Sequence, residues 1–214
     1  MAVADFAIVP AAPSALYHLM PTPDGISDEA AAALPTPGLA AAAALGAIGL
    51  QSDDTALIGG AAGGVGVLAV QLARLAGARV IGTASPGTFG FLRELGAEPV
   101  AYGPGLADRV RAIAPEGITA ATDLFGTETA EAALTLGVSP DRISTIAVGP
   151  NPPDGVRPTG GFEATPADLK RITKAVIAGE ITVPIAATFP IERIRDAVAL
   201  QAGRHVHGKV VVTP

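Results

Sequence analysis

The chain has 214 residues, of which 49% are hydrophobic and 16% charged, with a net charge of −6 and no cysteine. This is a globular composition, with room for one sizeable core or one domain plus part of another. It excludes disulfides, thiolate zinc sites and a cysteine nucleophile, and no run of Lys or Arg offers nucleic acid or an anionic membrane an electrostatic footprint.

The opening MAVADFAIVPAAP has no basic start and is interrupted by Asp5, so it does not resemble a secretory signal; it suits a cytoplasmic protein. ADFAIVP is a strand pattern. Ser27, followed by Asp28 and Glu29, marks the capped start of a helix. The uncharged stretch 31–52 is broken by Pro35 and Pro37, and the helix expected after them, from about Gly38 to Leu50, is too short to span a membrane.

After residue 50 short apolar runs alternate with helical ones: TALIGG with VGVLAVQLARLAG, ARVIGTAS with GFLRELGA, EPVAY with LADRVRAIA, ATDLFG with TAEAALTLG, and then RISTIAVG. Such alternation predicts βαβ units, and uniformly apolar strands predict a parallel sheet with helices on both faces. Gly77 and Gly96 follow two of these helices, where a left-handed cap is expected. NPPDGVRPTGG reads as a loop. It leads to a helix over about 166–178, a short strand near VPIAAT, a helix over about 191–201 and the terminal strand pattern GKVVVTP.

GGAAGGVG, residues 59–66, lies between the first strand and its helix. In that setting the free N–H groups and the dipole of the helix start favour phosphate, and glycine lets phosphate approach the backbone. Gly63 supplies the turn and close approach, and Gly66 the packing of helix on sheet. Ala61 stands where the strict G-x-G-x-x-G pattern has its first glycine. The next strand ends in Ile81-Gly82-Thr83-Ala84-Ser85, without the acid that holds the ribose hydroxyls in NAD sites. Hydroxyls without a carboxylate suit a 2′-phosphate, so the expected cofactor is NADP(H) rather than NAD(H).

Taken in order, ALIGGAAGGVGVLAVQLARLAGARVIGTAS, FLRELGAEPVAY, DLFG and HVHGKVVVTP resemble the medium-chain dehydrogenase/reductase superfamily, in particular its zinc-independent, quinone-oxidoreductase-like branch. The resemblance implies a Rossmann-type doubly wound α/β sheet, nicotinamide-dependent reduction or oxidation of quinones, enones or other small carbonyl compounds, and a homodimer. With the cofactor expected above, this is an NADP(H)-dependent oxidoreductase of the quinone or enone reductase type. It places the diphosphate on Ala62, Gly63, Gly64, Val65 and Gly66, and the adenosine ribose with its phosphate among Thr83, Ser85 and Tyr102. Phe125, Gly126, Ile146 and Ala147 match the nicotinamide lining, and Lys209 matches a C-terminal residue near the cofactor. The segment before residue 27 resembles the end of a GroES-like domain, most of which is lacking. The implied organisation is a remnant over 1–26, the dinucleotide-binding domain over 27–180 and a C-terminal helix and strand over 181–214. ADFAIVP and GKVVVTP are expected to lie together. Alanines at Ala40 and Ala42 depart from the Thr and aromatic frequent in relatives, and Thr88 and Phe89 stand where a phosphate-binding Lys or polar pair is common.

Other chemistry is sparse. His205 and His207 give two imidazoles without a third ligand nearby, so no metal site is expected, and His18 reads as a loop histidine. Neither Tyr17 nor Tyr102 has the Lys four positions on that a Tyr-Lys proton relay needs. Asp123 reads as a structural acid holding neighbouring loops, Asp53 and Asp54 as turn residues, and Glu163, Asp168, Lys170, Arg171 and Lys174 as a solvated helix face. No nucleophile–base pair is legible. Besides the reductase, two readings stay open: a non-redox cyclase or isomerase in a biosynthetic pathway, and a non-enzymatic nucleotide-binding or interaction module.

Overall fold

The structure, a computed structural model, describes residues 22–147, 152–153, 155–203 and 206–214. The expectations for ADFAIVP, Tyr17, His18 and His205 fall outside them. The strands β1 (Thr55–Gly59), β2 (Arg79–Ala84), β3 (Glu98–Ala101), β4 (Ala120–Asp123), β5 (Ile143–Thr145) and β6 (Arg157–Pro158) form one sheet. It is parallel throughout, in the order β3-β2-β1-β4-β5-β6. The chain winds outward from β1 through β3, then crosses back to β4, so the winding reverses between β1 and β4. Open α/β sheets bind ligands at such a reversal, beyond the carboxyl ends of the strands.

The helices are α1 (Asp28–Ala33), α2 (Pro35–Ala47), α3 (Gly66–Leu75), α4 (Phe89–Glu94), α5 (Leu106–Ile113), α6 (Glu128–Thr135), α7 (Pro166–Ile177) and α8 (Ile194–Ala202). The strands are apolar on both sides because both sides are covered. Ile58, Val80 and Ala120 join α2, α3, α4 and α7 in one core. Leu57, Ile81, Ala121 and Ile143 join α5 and α6 in the other.

Local chemistry sets most boundaries. Ser27 caps α1 by accepting from the Ala30 N–H, and Thr165 and Asp168 form a reciprocal capping box on α7. Asp168 is therefore a cap rather than part of a solvated face. Pro35 begins α2 instead of breaking it, three residues before the expected start, because an N–H at the first helical position would have no helical acceptor to lose. Gly77 and Gly96 have the left-handed backbone expected of them.

The final strands β7 (Ile185–Pro190) and β8 (Lys209–Thr213) pair in parallel as a second, separate sheet. Gln71, buried on α3, ties this unit to the main domain. Its Nε2 donates to the carbonyls of Val67 (2.8 Å) and Thr182 (2.9 Å), and its Oε1 accepts from the Thr182 N–H (2.8 Å). Among the described residues no helix is long and apolar enough to cross a membrane.

Candidate functional site

The glycine turn leaves β1 at Gly59, which pairs with Asp123 at the end of β4; Asp123 pairs in turn with Thr145 at the end of β5. The turn thus opens at the reversal of the sheet. Gly60, with φ +65, makes the turn. Its carbonyl then accepts from the Gly63 N–H at 3.0 Å. Among the described residues the N–H groups of Ala62, Gly64, Val65 and Gly66 find no protein acceptor, although they stand at the start of α3. Unpaired donors at a helix start, with the helix dipole behind them, form an anion site.

Glycine is required here by contact. A Cβ on Gly66 would collide with the Gly60 carbonyl oxygen and lie 2.6 Å from that of Ala61. Gly66 therefore closes the turn on itself, which differs from the expected packing of helix on sheet. A Cβ on Gly59 would strike Thr129, with its Cβ 2.8 Å away. Ala61, in place of the first fingerprint glycine, is fully buried, and a Cβ on Gly82 would lie only 2.8 Å from its methyl. Gly82 accommodates that methyl from the neighbouring strand.

Thr83 is only 3% exposed. Its Oγ1 accepts from the Gly60 N–H (3.0 Å) and its carbonyl from the Ala61 N–H (3.1 Å), so it holds the turn from beneath. This clamp engages the Thr83 hydroxyl as an acceptor. Ser85 is half-buried just past β2. Because Ala84 pairs with Ala101, Ser85 and Tyr102 leave the sheet side by side, and Tyr102 is 58% exposed.

Asp123 is almost completely buried and accepts four backbone N–H groups. Oδ1 takes those of Phe125 (3.0 Å) and Gly126 (2.9 Å), and Oδ2 those of Thr129 (2.8 Å) and Ala130 (3.3 Å). It is the loop-holding acid the sequence suggested, and through it the start of α6 and the 124–126 loop are fixed to β4. Phe125 is left 72% exposed, its Cβ 3.1 Å from where a Cβ on Gly60 would stand. Ile146 donates its N–H to the Asp123 carbonyl (3.1 Å) and Ala147 to Thr145 Oγ1 (3.4 Å), which brings both to the same rim. Lys209, at the start of β8, reaches the turn from the second sheet: a Cβ on Gly64 would lie 3.1 Å from its Cδ and 3.4 Å from its Nζ. His207 stacks on Phe91, ring centroids 5.2 Å apart.

The shifted ionisable groups lie elsewhere. Asp54, far from a mere turn residue, is a buried hub below the sheet. Arg142 grips both its oxygens (2.6 and 2.7 Å), and it also accepts from Thr119 Oγ1 and the Gln51 N–H (2.6 Å each). Burial works to raise its pKa, but the hydrogen bonds from Thr119, Gln51 and Arg142 and the charge of Arg142 outweigh it, holding the carboxyl below its ordinary value. Glu163 ion-pairs with Arg157 at 2.8 Å. Two surface depressions, of 370 and 550 Å³, are lined from α2, α3 and the α7 region and include none of the candidate site residues.

Sequence reasoning missed Gly59, Gly82, Thr129 and Gln71. Gly59 stood in the glycine-rich stretch itself, whereas the other three act through neighbours remote in the chain.

An open parallel sheet wound 3-2-1-4-5-6, with a glycine turn at its reversal, defines a Rossmann-type doubly wound α/β protein. A sequence profile described as "Zinc-binding dehydrogenase" matches residues 64–180, and the chain belongs to that family, within the medium-chain dehydrogenase/reductase superfamily. It is 27% identical over 208 residues to an acryloyl-coenzyme A reductase of Sulfurisphaera tokodaii, covering 92% of this chain and 62% of the relative. Among solved structures it resembles an NAD-dependent alcohol dehydrogenase (TM-score 0.80, 28% identity, 94% of this chain and 63% of that one). The quinone oxidoreductase of Coxiella burnetii follows with a TM-score of 0.75 and 29% identity over 89% of this chain and 62% of that one. A mycobacterial protein complexed with NADPH gives 0.76 and 25% identity over 90% and 66%. The chain thus spans a little under two thirds of the length of these relatives.

Zinc, which the family description names, does not fit the residues present. The chain has no cysteine, and among the described residues no three His, Asp or Glu side chains come together.

Proposed function

We propose that this chain forms the NADP(H)-binding part of a reductase acting on quinones, enones or related activated carbonyl compounds. The observation that carries the reading is the set of unpaired N–H donors at Ala62, Gly64, Val65 and Gly66, opening at the sheet's reversal point. Those donors suit the cofactor's diphosphate, with Lys209 supplying a positive charge beside Gly64. Ser85 and Tyr102 would flank the adenosine ribose, and no carboxylate at the end of β2 repels a 2′-phosphate. Phe125, Gly126, Ile146 and Ala147 would line the nicotinamide, their loops set by Asp123.

The bound nicotinamide supplies the hydride, and the acceptor takes up that hydride and one proton. What the chain contributes is placement: the glycine turn fixes the diphosphate, and the Asp123-held loop limits where the nicotinamide can lie. The kinship with an acryloyl-coenzyme A reductase, a quinone oxidoreductase and an NADPH-complexed structure supports the substrate class and the cofactor. A homodimer, the common state of such enzymes, belongs to the same reading.

Calorimetric titration with NADPH and NADH tests it. Binding of NADPH at least tenfold tighter than NADH, followed by NADPH oxidation with a quinone or enone, supports the proposal. Binding of neither cofactor overturns it and leaves the non-redox readings.

A further inference from the structure

Arg109, on α5, donates to three carbonyls of one short loop. Its Nε reaches Ala101 (3.0 Å), its Nη2 Gly103 (2.6 Å) and its Nη1 Pro104 (2.8 Å). Gly103 (φ +96) and Gly105 (φ +82) let the loop curl so that these carbonyls converge. A planar fork of N–H donors spread over three nitrogens meets all three in a fixed geometry, whereas an ammonium offers its donors from one point. The residue lying among the three acceptors is Tyr102. Gly103, Pro104 and Gly105 offer no functional side chain, so the group this arrangement presents is the Tyr102 ring, 58% exposed and adding little to either core.

We infer that Arg109 is a positioning residue: it locks the 101–105 loop so that the Tyr102 ring stands beside Ser85 as one wall of the adenosine site. The inference rests on the cofactor reading above. It adds the device that holds the wall in place before the nucleotide arrives, which lowers the ordering cost of binding.

The test exploits the composition. The chain has no tryptophan and two tyrosines, so Tyr17→Phe leaves Tyr102 as the single aromatic emitter. In that background Arg109→Met, and the milder Arg109→Lys, are compared with the parent by tyrosine fluorescence anisotropy without ligand and by NADPH titration. The expected result for Arg109→Met is lower anisotropy and a Kd raised about tenfold, with Arg109→Lys failing to restore either. Arg109→Met and Tyr102→Ala should also be non-additive for the Kd, because one acts through the other. Unchanged anisotropy, an unchanged Kd or additive effects, with NADPH binding intact in the parent, overturns the inference alone. Failure of the parent to bind NADPH overturns the cofactor reading, and the ring's part in the site with it.

Discussion

Lys209 lies across Gly64. Any side chain on that glycine would begin 3.1 Å from the lysine Cδ, although the glycine stands in the turn after β1 and the lysine in the second sheet, far apart in the chain. The glycine turn of the main domain is thus flanked by a cation delivered from the C-terminal strand.

Lys209→Met tests that delivery. It keeps the stem that covers Gly64 and removes the charge. NADPH affinity should fall about ten- to a hundredfold, in line with a charge-assisted contact worth about 1.5–3 kcal/mol, and the salt dependence of binding should weaken. Titrations at two ionic strengths read both effects; unaltered affinity at low salt would remove Lys209 from the site.

Gln71 holds the segment that leads into β7, the strand paired with the one that carries Lys209. Gln71→Met leaves the Thr182 N–H and carbonyl without their partners, which should cost about 1–3 kcal/mol and speed amide exchange along β8. NADPH binding should weaken as it does in Lys209→Met, and the double variant should be no worse than the poorer single one. Hydrogen exchange followed by mass spectrometry is the direct check, and protection of β8 equal to that of the parent would count against it.

Thr83 supports the turn through its buried hydroxyl as well as its carbonyl. Thr83→Val keeps the shape but leaves the Gly60 N–H unpaired, which should lower stability by about 1–3 kcal/mol and NADPH affinity with it. Thr83→Ser keeps the acceptor and should restore most of both. If valine and serine behave alike in thermal melts and titrations, the hydroxyl is not the support.

Gly66→Ala forces a methyl onto the Gly60 and Ala61 carbonyls, so the turn must open. Overpacking of this kind costs about 1–3 kcal/mol, and cofactor binding should be lost even where the fold survives. Circular dichroism separates the two effects, and a folded Gly66→Ala protein that binds NADPH normally would refute the cradle.

The Asp54–Arg142 pair predicts acid sensitivity. Asp54 has a folded-state pKa below its unfolded value of about 4, so it stabilises the fold above that value. The contribution is lost as pH falls through the lower, folded value. Arg142→Met, which strands the carboxylate, should destabilise by about 3 kcal/mol at pH 7, and the gap to the parent should close below about pH 4. Urea unfolding at pH 7 and pH 3 measures it; a gap that stayed constant would mean the pair is not the source.

What the sequence determined by itself is the alternation of apolar strands and helices, the glycine turn between the first pair and the absence of an acid after the second strand. Each is a local pattern, written within a few residues by burial period or by backbone freedom. Even the loop-holding part played by Asp123 was legible, because its backbone partners lie within seven residues of it. Only the tertiary structure decided that Thr83 supports the turn, that Asp54 is a hub and that Gln71 anchors the segment leading into a second sheet. The partners of Asp54 and Gln71 stand 88 and 111 positions away, and the residue types are too common to announce a pairing across that distance. It is the winding of the sheet, bringing the ends of β1, β2 and β4 together and laying β8 over the turn, that makes a site of them.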